Sequence, residues 1–181
     1  MCTSRRPSTA SIFSISWKTA RGPSMKRLSS EERKRSEMNI AIGTTQDRAL
    51  YEDALRVRRL VFIEEQNVPE DEEIDAFEDD SFHLVLYDGQ TPVGAGRLRF
   101  IDEGVGKIER ICVLPSYRGR GAGRMVMEAI EQLAKTKGAK TAKLNAQTHA
   151  EPFYKKLGYT TVSGVFMDAG IPHVTMVKSL E

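Results

Sequence analysis

Cysteine is nearly absent from this chain of 181 residues, in which Cys2 and Cys112 are the only two. Two distant thiols build neither a disulfide framework nor a zinc cluster, so the sequence is typical of a reducing compartment. Histidine is also scarce, and the three histidines, His83, His149 and His173, lie too far apart along the chain to form a metal-ligand motif. We therefore predict no metal site.

Long hydrophobic runs and a strong net charge are missing as well. No apolar stretch approaches the roughly 20 residues that span a bilayer, so we predict no membrane association. The net charge of +2 is uneven, because residues 1–37 carry nine Lys or Arg against three Glu and leave about −4 on the rest. A mildly acidic domain argues against a nucleic-acid partner. The length predicts one domain.

The first 37 residues differ in composition from the rest. Residues 1–30 contain no acidic residue and many Ser, Thr and Arg, which is typical of an organelle transit peptide. The favoured alternatives are a disordered extension or a start codon upstream of the true one at Met25 or Met38. We expect a domain at 38–181 in the cytoplasm, or in an organelle if residues 1–37 are a transit peptide.

The domain begins with a pattern that predicts an amphipathic helix. Apolar residues recur at three- and four-residue spacing from Leu50 to Phe62, after a cap at Thr44 or Thr45. The next stretch, Glu64 to Asp80, holds ten acidic residues among seventeen. We predict a surface loop with short helical turns, which either attracts a cationic amine substrate or is simply a solvated face.

Strands and helices then alternate. Residues 82–87 and 93–100 predict a hairpin around Asp88-Gly89, and 106–114 predicts a third strand. The patterns that follow predict a helix ending at Lys137-Gly138, a strand at 139–147, a short helix capped at Thr148 or His149, and strands at 159–166 and 172–180. This order predicts a mixed α/β domain: a mostly antiparallel sheet with a central parallel strand-helix-strand unit and helices on both faces.

The stretch RGRGAGR, residues 118–124, stands at the start of the longer helix. A helix start exposes unpaired N–H groups that attract anions, glycines admit a phosphate to the backbone, and arginines add charge. A P-loop is excluded because Gly123 is followed by Arg124-Met125, and a dinucleotide fingerprint is excluded because residue 124 is not glycine. We interpret the stretch as a pyrophosphate cradle, the alternative being a plain tight turn.

The spacing Arg118-x-x-Gly121-x-Gly123 resembles the Q/R-x-x-G-x-G/A signature of the GNAT superfamily of acyl-CoA N-acyltransferases. About 30 residues further on, AEPFYKKLGY is similar to the A-x-x-F-Y-x-K-L-G-F/Y segment of that superfamily. The earlier VRRLVFIEEQNVP and EID resemble its ElaA-like branch. The resemblance spans roughly Met38 to Glu181.

The resemblance implies that the strand before the cradle and the strand after its helix splay apart to hold the pantetheine arm of acetyl-CoA. On this chain, main-chain groups at 111–113 would meet the arm and the thioester oxygen, and residues 118–124 would hold the pyrophosphate. Gln147 stands where the family often has Asn, so either it or Asn145 would contact the arm. The implied cofactor-binding residues are Ile111, Cys112, Val113, Arg118, Gly119, Arg120, Gly121, Ala122, Gly123, Arg124, Asn145 and Gln147.

Two residues are candidates for proton transfer. The resemblance places Tyr154 at the phenol position of the family and implies a general acid, the alternative being a packing tyrosine. Strand alternation puts Glu109 on one face with Ile111 and Val113, opposite Ile108, Arg110 and Cys112, so that Glu109 is either the base or an ion-pair partner of an arginine. The same alternation predicts a core thiol for Cys112.

The implied activity is acetyl transfer from acetyl-CoA to a primary amine of a small molecule or peptide, by direct attack on the thioester. One alternative is a non-catalytic CoA-binding module. Another is an acyltransferase like the acyl-homoserine-lactone synthases, which the acidic domain disfavours because a docked acyl-carrier protein requires a basic surface. The sequence leaves homodimer formation open.

Overall fold

A nine-stranded sheet organises the computed structural model, which describes residues 13–15 and 38–181. The strands run in the order β1-β2-β3-β4-β5-β6-β9-β7, β8 also pairs with β9, and only β5 and β6 are parallel. This confirms the predicted mixed sheet with a central parallel unit. The strands are β1 Phe13–Ile15, β2 Met38–Gly43, β3 Phe82–Asp88, β4 Thr91–Asp102, β5 Val105–Val113, β6 Thr141–Gln147, β7 Thr160–Thr161, β8 Phe166–Asp168 and β9 Ile171–Ser179.

Helices cover both faces of this sheet, as predicted. One face packs against the first helix and the other against the helix that joins β5 to β6. No helix in the described ranges has the length and apolar composition that a bilayer crossing requires. The helices are α1 Arg48–Arg58, a π-helix Arg59–Glu65 that continues it, α2 Glu70–Glu73, α3 Ala122–Thr136 and α4 Glu151–Lys156, with 3₁₀ turns at Pro115–Tyr117 and Thr148–Ala150.

The edge strand β1 comes from the segment that the sequence analysis excluded from the fold. It pairs antiparallel with β2, with Phe13 opposite Ile42 and Ile15 opposite Ile40. The exclusion of residues 1–37 is therefore wrong for these three residues. The predictions of disorder, of targeting and of a later start fall otherwise on residues outside the described ranges.

Helix α1 begins one turn later than its predicted cap. The Asp47 side chain caps it by accepting the Leu50 N–H at 3.3 Å, so the predicted cap at Thr44 or Thr45 is wrong. Leu50, Ala54 and Val57 are buried against the sheet, which confirms the amphipathic pattern. The helix continues as the π-helix, after which Gln66 contacts Gln147 of β6.

Helix α3 covers the opposite face and has the predicted boundaries. It begins after Gly121, whose φ of +85° suits glycine, and ends at Lys137 before Gly138, whose φ is +94°. Its side chains Val126 and Ile130 are fully buried against the sheet. Removing apolar area from water at roughly 25 cal/mol per Å² makes this face a main contribution to stability.

The acidic segment Glu64–Asp80 is only partly a surface loop. It forms the short helix α2, as predicted, but Glu73 and Glu78 are buried. Both carboxylates bind the buried guanidinium of Arg58, at 2.6 Å for Glu73 Oε1 and 2.8 Å for Glu78 Oε1. Charges removed from water need such partners, so this segment is tied into the domain.

The C-terminal part follows the predicted order with two corrections. The predicted strand at 159–166 is two short strands, β7 and β8, which both pair with β9. The helix α4 has Ala150 at its N-cap and no side-chain cap. The cap predicted at Thr148 or His149 is therefore wrong, because these residues form a 3₁₀ turn instead.

Candidate functional site

A gap between β5 and β6 lies at the centre of the sheet. The two strands pair from Val105 opposite Thr141 to Ile108 opposite Leu144. Within the described chain they pair no further, although β5 continues to Val113 and β6 to Gln147. The strands thus splay as the resemblance implied, and two strand edges with unpaired backbone groups face each other across the gap.

A β-bulge interrupts β5 where the gap opens. Arg110 has a φ of +56°, and the pairing with β4 shifts by one residue between Ala95–Cys112 and Arg97–Glu109. The bulge reverses the expected faces. Glu109 and Cys112 lie on the α1 face opposite Arg97 and Ala95, and Ile111 lies on the α3 face. The prediction that Glu109 shares a face with Ile111 and Val113 is wrong, because strict alternation holds only in an uninterrupted strand.

The glycines at the start of α3 have two different reasons to be glycine. Gly119 and Gly121 have φ values of +72° and +85°, and no heavy atom lies within 4 Å of a Cβ built on Gly119. The space above that backbone is open, as a phosphate-binding loop requires. A Cβ on Gly123 would lie 3.3 Å from Phe153 Cζ, so this third glycine is needed for packing. The start of α3 has no side-chain cap.

The three arginines of the stretch differ in their partners. Arg118 donates from Nε to the Val113 carbonyl at 2.9 Å and holds Glu65 through both terminal nitrogens, at 2.7 and 2.6 Å. Arg124 Nε lies 3.7 Å from Glu128 Oε1 in the same helix. Arg120 is exposed and has no ion pair among the described side chains. Of the three, Arg120 is thus the arginine whose charge is least committed.

Tyr154 lies in α4 and packs in the main core. Its ring meets Phe153 edge-on at 5.0 Å and Tyr159 at 5.9 Å, and the residue is 8% exposed. Burial raises the pKa of its hydroxyl above the ordinary tyrosine value. The ring therefore packs, and the hydroxyl stays protonated; its role as an acid remains a prediction.

Glu109 is surrounded by cations. Its carboxylate lies 2.9 Å from Arg97 Nη2, 2.9 Å from Arg99 Nε and 2.8 Å from Lys107 Nζ. Although its burial opposes ionisation, the hydrogen bonds and charges of these partners lower the pKa of Glu109 to about 2. Glu109 thus has the geometry of an ion-pair partner of arginines. The prediction that it is the base rested on a face shared with Ile111 and Val113, and Glu109 does not lie on that face.

The end of the π-helix reaches both borders of the gap. Glu65 binds Arg118 beside β5, and Gln66 Oε1 accepts a hydrogen bond from Gln147 Nε2 of β6 at 2.8 Å. Asn145 lies on the same face as Gln147, as predicted, and accepts from the Thr175 hydroxyl at 3.1 Å. Glu65 and Gln66 are not among the predicted site residues, because no sequence pattern signals the π-helix that brings them to the gap.

Two further features lie beside α1, the Cys112 thiol and a cavity. The Cys112 thiol is buried in the α1 cluster, and burial raises its pKa to about 12. A cavity of about 1180 Å³ lies between α1 and the acidic segment. Its lining includes Tyr51, Arg59 and Glu78 but no residue of β5, β6 or the stretch 118–124. The cavity is thus separate from the gap.

Known proteins share this sequence and architecture. A protein-family model described as "Acetyltransferase (GNAT) domain" matches residues 51–180. The uncharacterized N-acetyltransferase YjcF of Bacillus subtilis (strain 168) is 57% identical over 127 residues, which cover 70% of this chain and 90% of YjcF. Protein ElaA of Escherichia coli (strain K12) is 29% identical over 130 residues, which cover 70% of this chain and 85% of ElaA.

A solved structure agrees with these sequence matches. The acyl-CoA N-acyltransferase from Pseudomonas aeruginosa superimposes with a TM-score of 0.71 at 26% identity, covering 78% of this chain and 99% of that one. The resemblance to the GNAT superfamily and its ElaA-like branch is therefore confirmed. The family model and the similarity to YjcF agree with the splayed strands and the glycine-lined helix start. The chain therefore belongs to the GNAT family of acetyltransferases.

Proposed function

We propose that this chain transfers an acetyl group from acetyl-CoA to a primary amine of a small molecule or peptide. The observation that carries the proposal is the gap between β5 and β6, which opens beside the uncapped start of α3. The Pseudomonas aeruginosa relative is named an acyl-CoA N-acyltransferase, and this supports an acyl-CoA as the donor.

The gap fits a pantetheine arm. From Ile108 to Val113 the open edge of β5 measures roughly 17 Å at the rise of an extended strand. An arm that carries amide groups would pair with the backbone there as an added strand does, with Ile111, Cys112 and Val113 on one side. Asn145 and Gln147 would face the arm from β6.

The start of α3 fits a pyrophosphate. The first N–H groups of a helix have no partner within the helix and carry partial positive charge. Gly119 leaves the space above the backbone open, and Arg120 would add a guanidinium. Arg118 would act differently, because its contacts hold Glu65 and the Val113 carbonyl at the edge of the gap.

The chemistry would be direct attack of a neutral amine on the thioester carbonyl. A carbon–nitrogen bond forms, the carbon–sulfur bond breaks, the amine loses a proton and the departing thiolate gains one. Tyr154 would donate a hydrogen bond to the departing sulfur, since its raised pKa keeps the phenol protonated. Glu109 is a weak base at a pKa of about 2, so the amine proton would leave through water.

Calorimetry with acetyl-CoA, followed by thiol-release assays over a panel of amines, tests the proposal. Binding and release with at least one amine support it, whereas no binding at millimolar concentration would overturn it. Binding without release from any amine would favour the non-catalytic module.

Two arginine variants test the cradle. We expect Arg120→Gln to weaken CoA binding about tenfold, as loss of one charge-assisted hydrogen bond does. The matched control is Arg56→Gln, which removes an exposed guanidinium from α1 away from the gap. Equal effects of the two variants on CoA affinity would argue against the cradle.

A further inference from the structure

We propose that Arg110 is a positioning residue for acetyl transfer: its side chain clamps the bulge of β5 to the acidic segment Glu64–Asp80. The clamp fixes the strand edge that borders the gap. Its catalytic consequence rests on the proposed function, and the clamp itself rests on the contacts of Arg110. The acidic segment then has a role other than attracting a cationic amine.

The backbone of Arg110 needs an external restraint. Its φ of +56° lies in the left-handed region, where a side chain with a Cβ is disfavoured and glycine is the usual residue. Such a conformation persists only where the surroundings hold it. The local sequence IERICV contains neither glycine nor asparagine, the residues that tolerate this conformation best. The restraint therefore comes from elsewhere in the fold.

The side chain of Arg110 provides the restraint through four contacts with one segment. Nε lies 3.1 Å from the Glu73 carbonyl and 2.9 Å from Glu73 Oε2. Nη2 donates to the Glu72 carbonyl at 2.8 Å and to Asp75 Oδ2 at 3.1 Å. The two carbonyls stand at the end of α2, where a helix leaves acceptors unpaired, so the guanidinium also caps that helix.

The acidic segment is itself held in place by two buried arginines. Arg58 binds Glu73 and Glu78, and Arg97 binds both oxygens of Asp75 at 2.7 and 2.8 Å. Arg58 and Arg97 are each 1% exposed. Three of the ten acidic residues in the segment, Glu73, Asp75 and Glu78, are thus neutralised by arginines, so less negative charge remains to attract an amine.

The clamp matters at the gap because the bulge decides where the next residues point. Ile111 turns to the α3 face and Cys112 to the α1 face directly after Arg110. A bulge that moved along β5 would redirect the backbone groups at 111–113, which border the gap. The start of α3 is held by contacts that do not involve Arg110, among them the Arg118–Glu65 pair. Loss of the clamp should therefore affect acyl transfer more than phosphate binding.

Replacement of Arg110 by glycine separates backbone from side chain. Arg110→Gly favours the left-handed conformation but removes all four contacts, and Arg110→Lys keeps one charge without the fork geometry. We expect Arg110→Gly to lower kcat on the order of 10- to 100-fold, as small misplacements of reacting groups do. The dissociation constant for CoA should stay within about threefold, and Arg110→Lys should recover part of kcat.

The control variant is Arg59→Met. Arg59 also binds the acidic segment, through Glu70 at 2.9 Å, but it lies in the π-helix and does not touch β5. It should leave kcat and CoA affinity unchanged. If Arg110→Gly does not fold, Arg110→Asn replaces it, because asparagine also tolerates the left-handed conformation and lacks the guanidinium.

Hydrogen exchange of the free protein tests the clamp without any activity. Backbone amides at 109–113 should exchange faster in Arg110→Gly than in wild type and Arg59→Met. Unchanged exchange, or a kcat equal to that of wild type, would overturn the proposal. A parallel loss of CoA affinity and kcat would do so too, since it indicates a general structural defect. A wild-type protein that neither binds CoA nor releases thiol refutes the proposed function and the catalytic consequence, and the exchange data still decide the clamp.

Discussion

Glu109→Gln is the substitution that tests the charge arrangement at the gap most directly. The wild-type carboxylate lies within 3 Å of Arg97, Arg99 and Lys107. These cations lower its pKa from an ordinary 4.5 to about 2. A shift of this size corresponds to about 3 kcal/mol of folding free energy, because each pKa unit is worth about 1.4 kcal/mol.

The sign of the pH dependence follows from the depressed pKa. The stabilisation is complete above the unfolded-state value near 4.5 and is lost as the pH falls toward 2. About 2 kcal/mol of it should be gone at pH 3. Urea unfolding followed by circular dichroism at pH 7, 5 and 3 measures this loss, which should be absent from Glu109→Gln.

Control and refutation are available for the same experiment. Glu103→Gln removes an exposed carboxylate in the turn between β4 and β5 and should lose stability with pH as wild type does. If Glu109→Gln and wild type lose the same free energy between pH 5 and 3, the ion-pair reasoning is wrong. If instead folded Glu109→Gln lost more than about 1000-fold in thiol release, the base role would return, because general-base catalysis is worth about 10²- to 10⁴-fold.

Three further substitutions have definite expected outcomes. Asp47→Ala should cost about 1 kcal/mol in urea unfolding, since it removes the side-chain cap of α1; an unchanged midpoint would contradict that cap. Gly121→Val should weaken CoA binding in calorimetry, because a φ of +85° strains any residue with a branched Cβ, and equal affinity would contradict this. Tyr154→Phe should lower kcat about 10- to 100-fold at nearly constant KM if the hydroxyl assists the departing sulfur; an unchanged kcat leaves Tyr154 as a packing residue.

Local pattern was sufficient for most elements of the fold. The hairpin at Asp88-Gly89 and the helix between Gly121 and Gly138 follow from turn chemistry and periodicity, and both have their predicted boundaries to within a few residues. These rules act over one or two turns of chain, so the sequence contains all the information they need. The predicted position of the α1 cap was wrong even though capping is a local interaction, because Asp47 competes with two threonines close by.

The arrangement of the gap could not be read in the same way. Alternation placed Glu109 with Ile111, and the bulge at Arg110 reversed this. The restraint on that bulge comes from Glu72, Glu73 and Asp75, more than 30 residues earlier in the chain. No local rule contains such a contact.

The sequence by itself determined most of the strands and helices, although not β1, β2 or the π-helix, and it placed the glycine-lined start of α3 after a central strand. Only the tertiary structure decided which face each β5 side chain occupies and which arginines keep an uncommitted charge. Arg118 and Arg120 are two residues apart and chemically alike, yet one is bound by Glu65 and the other is not. The physical reason is that ion pairs form between groups that folding brings together, and their strength depends on burial and geometry that the order of residues does not specify.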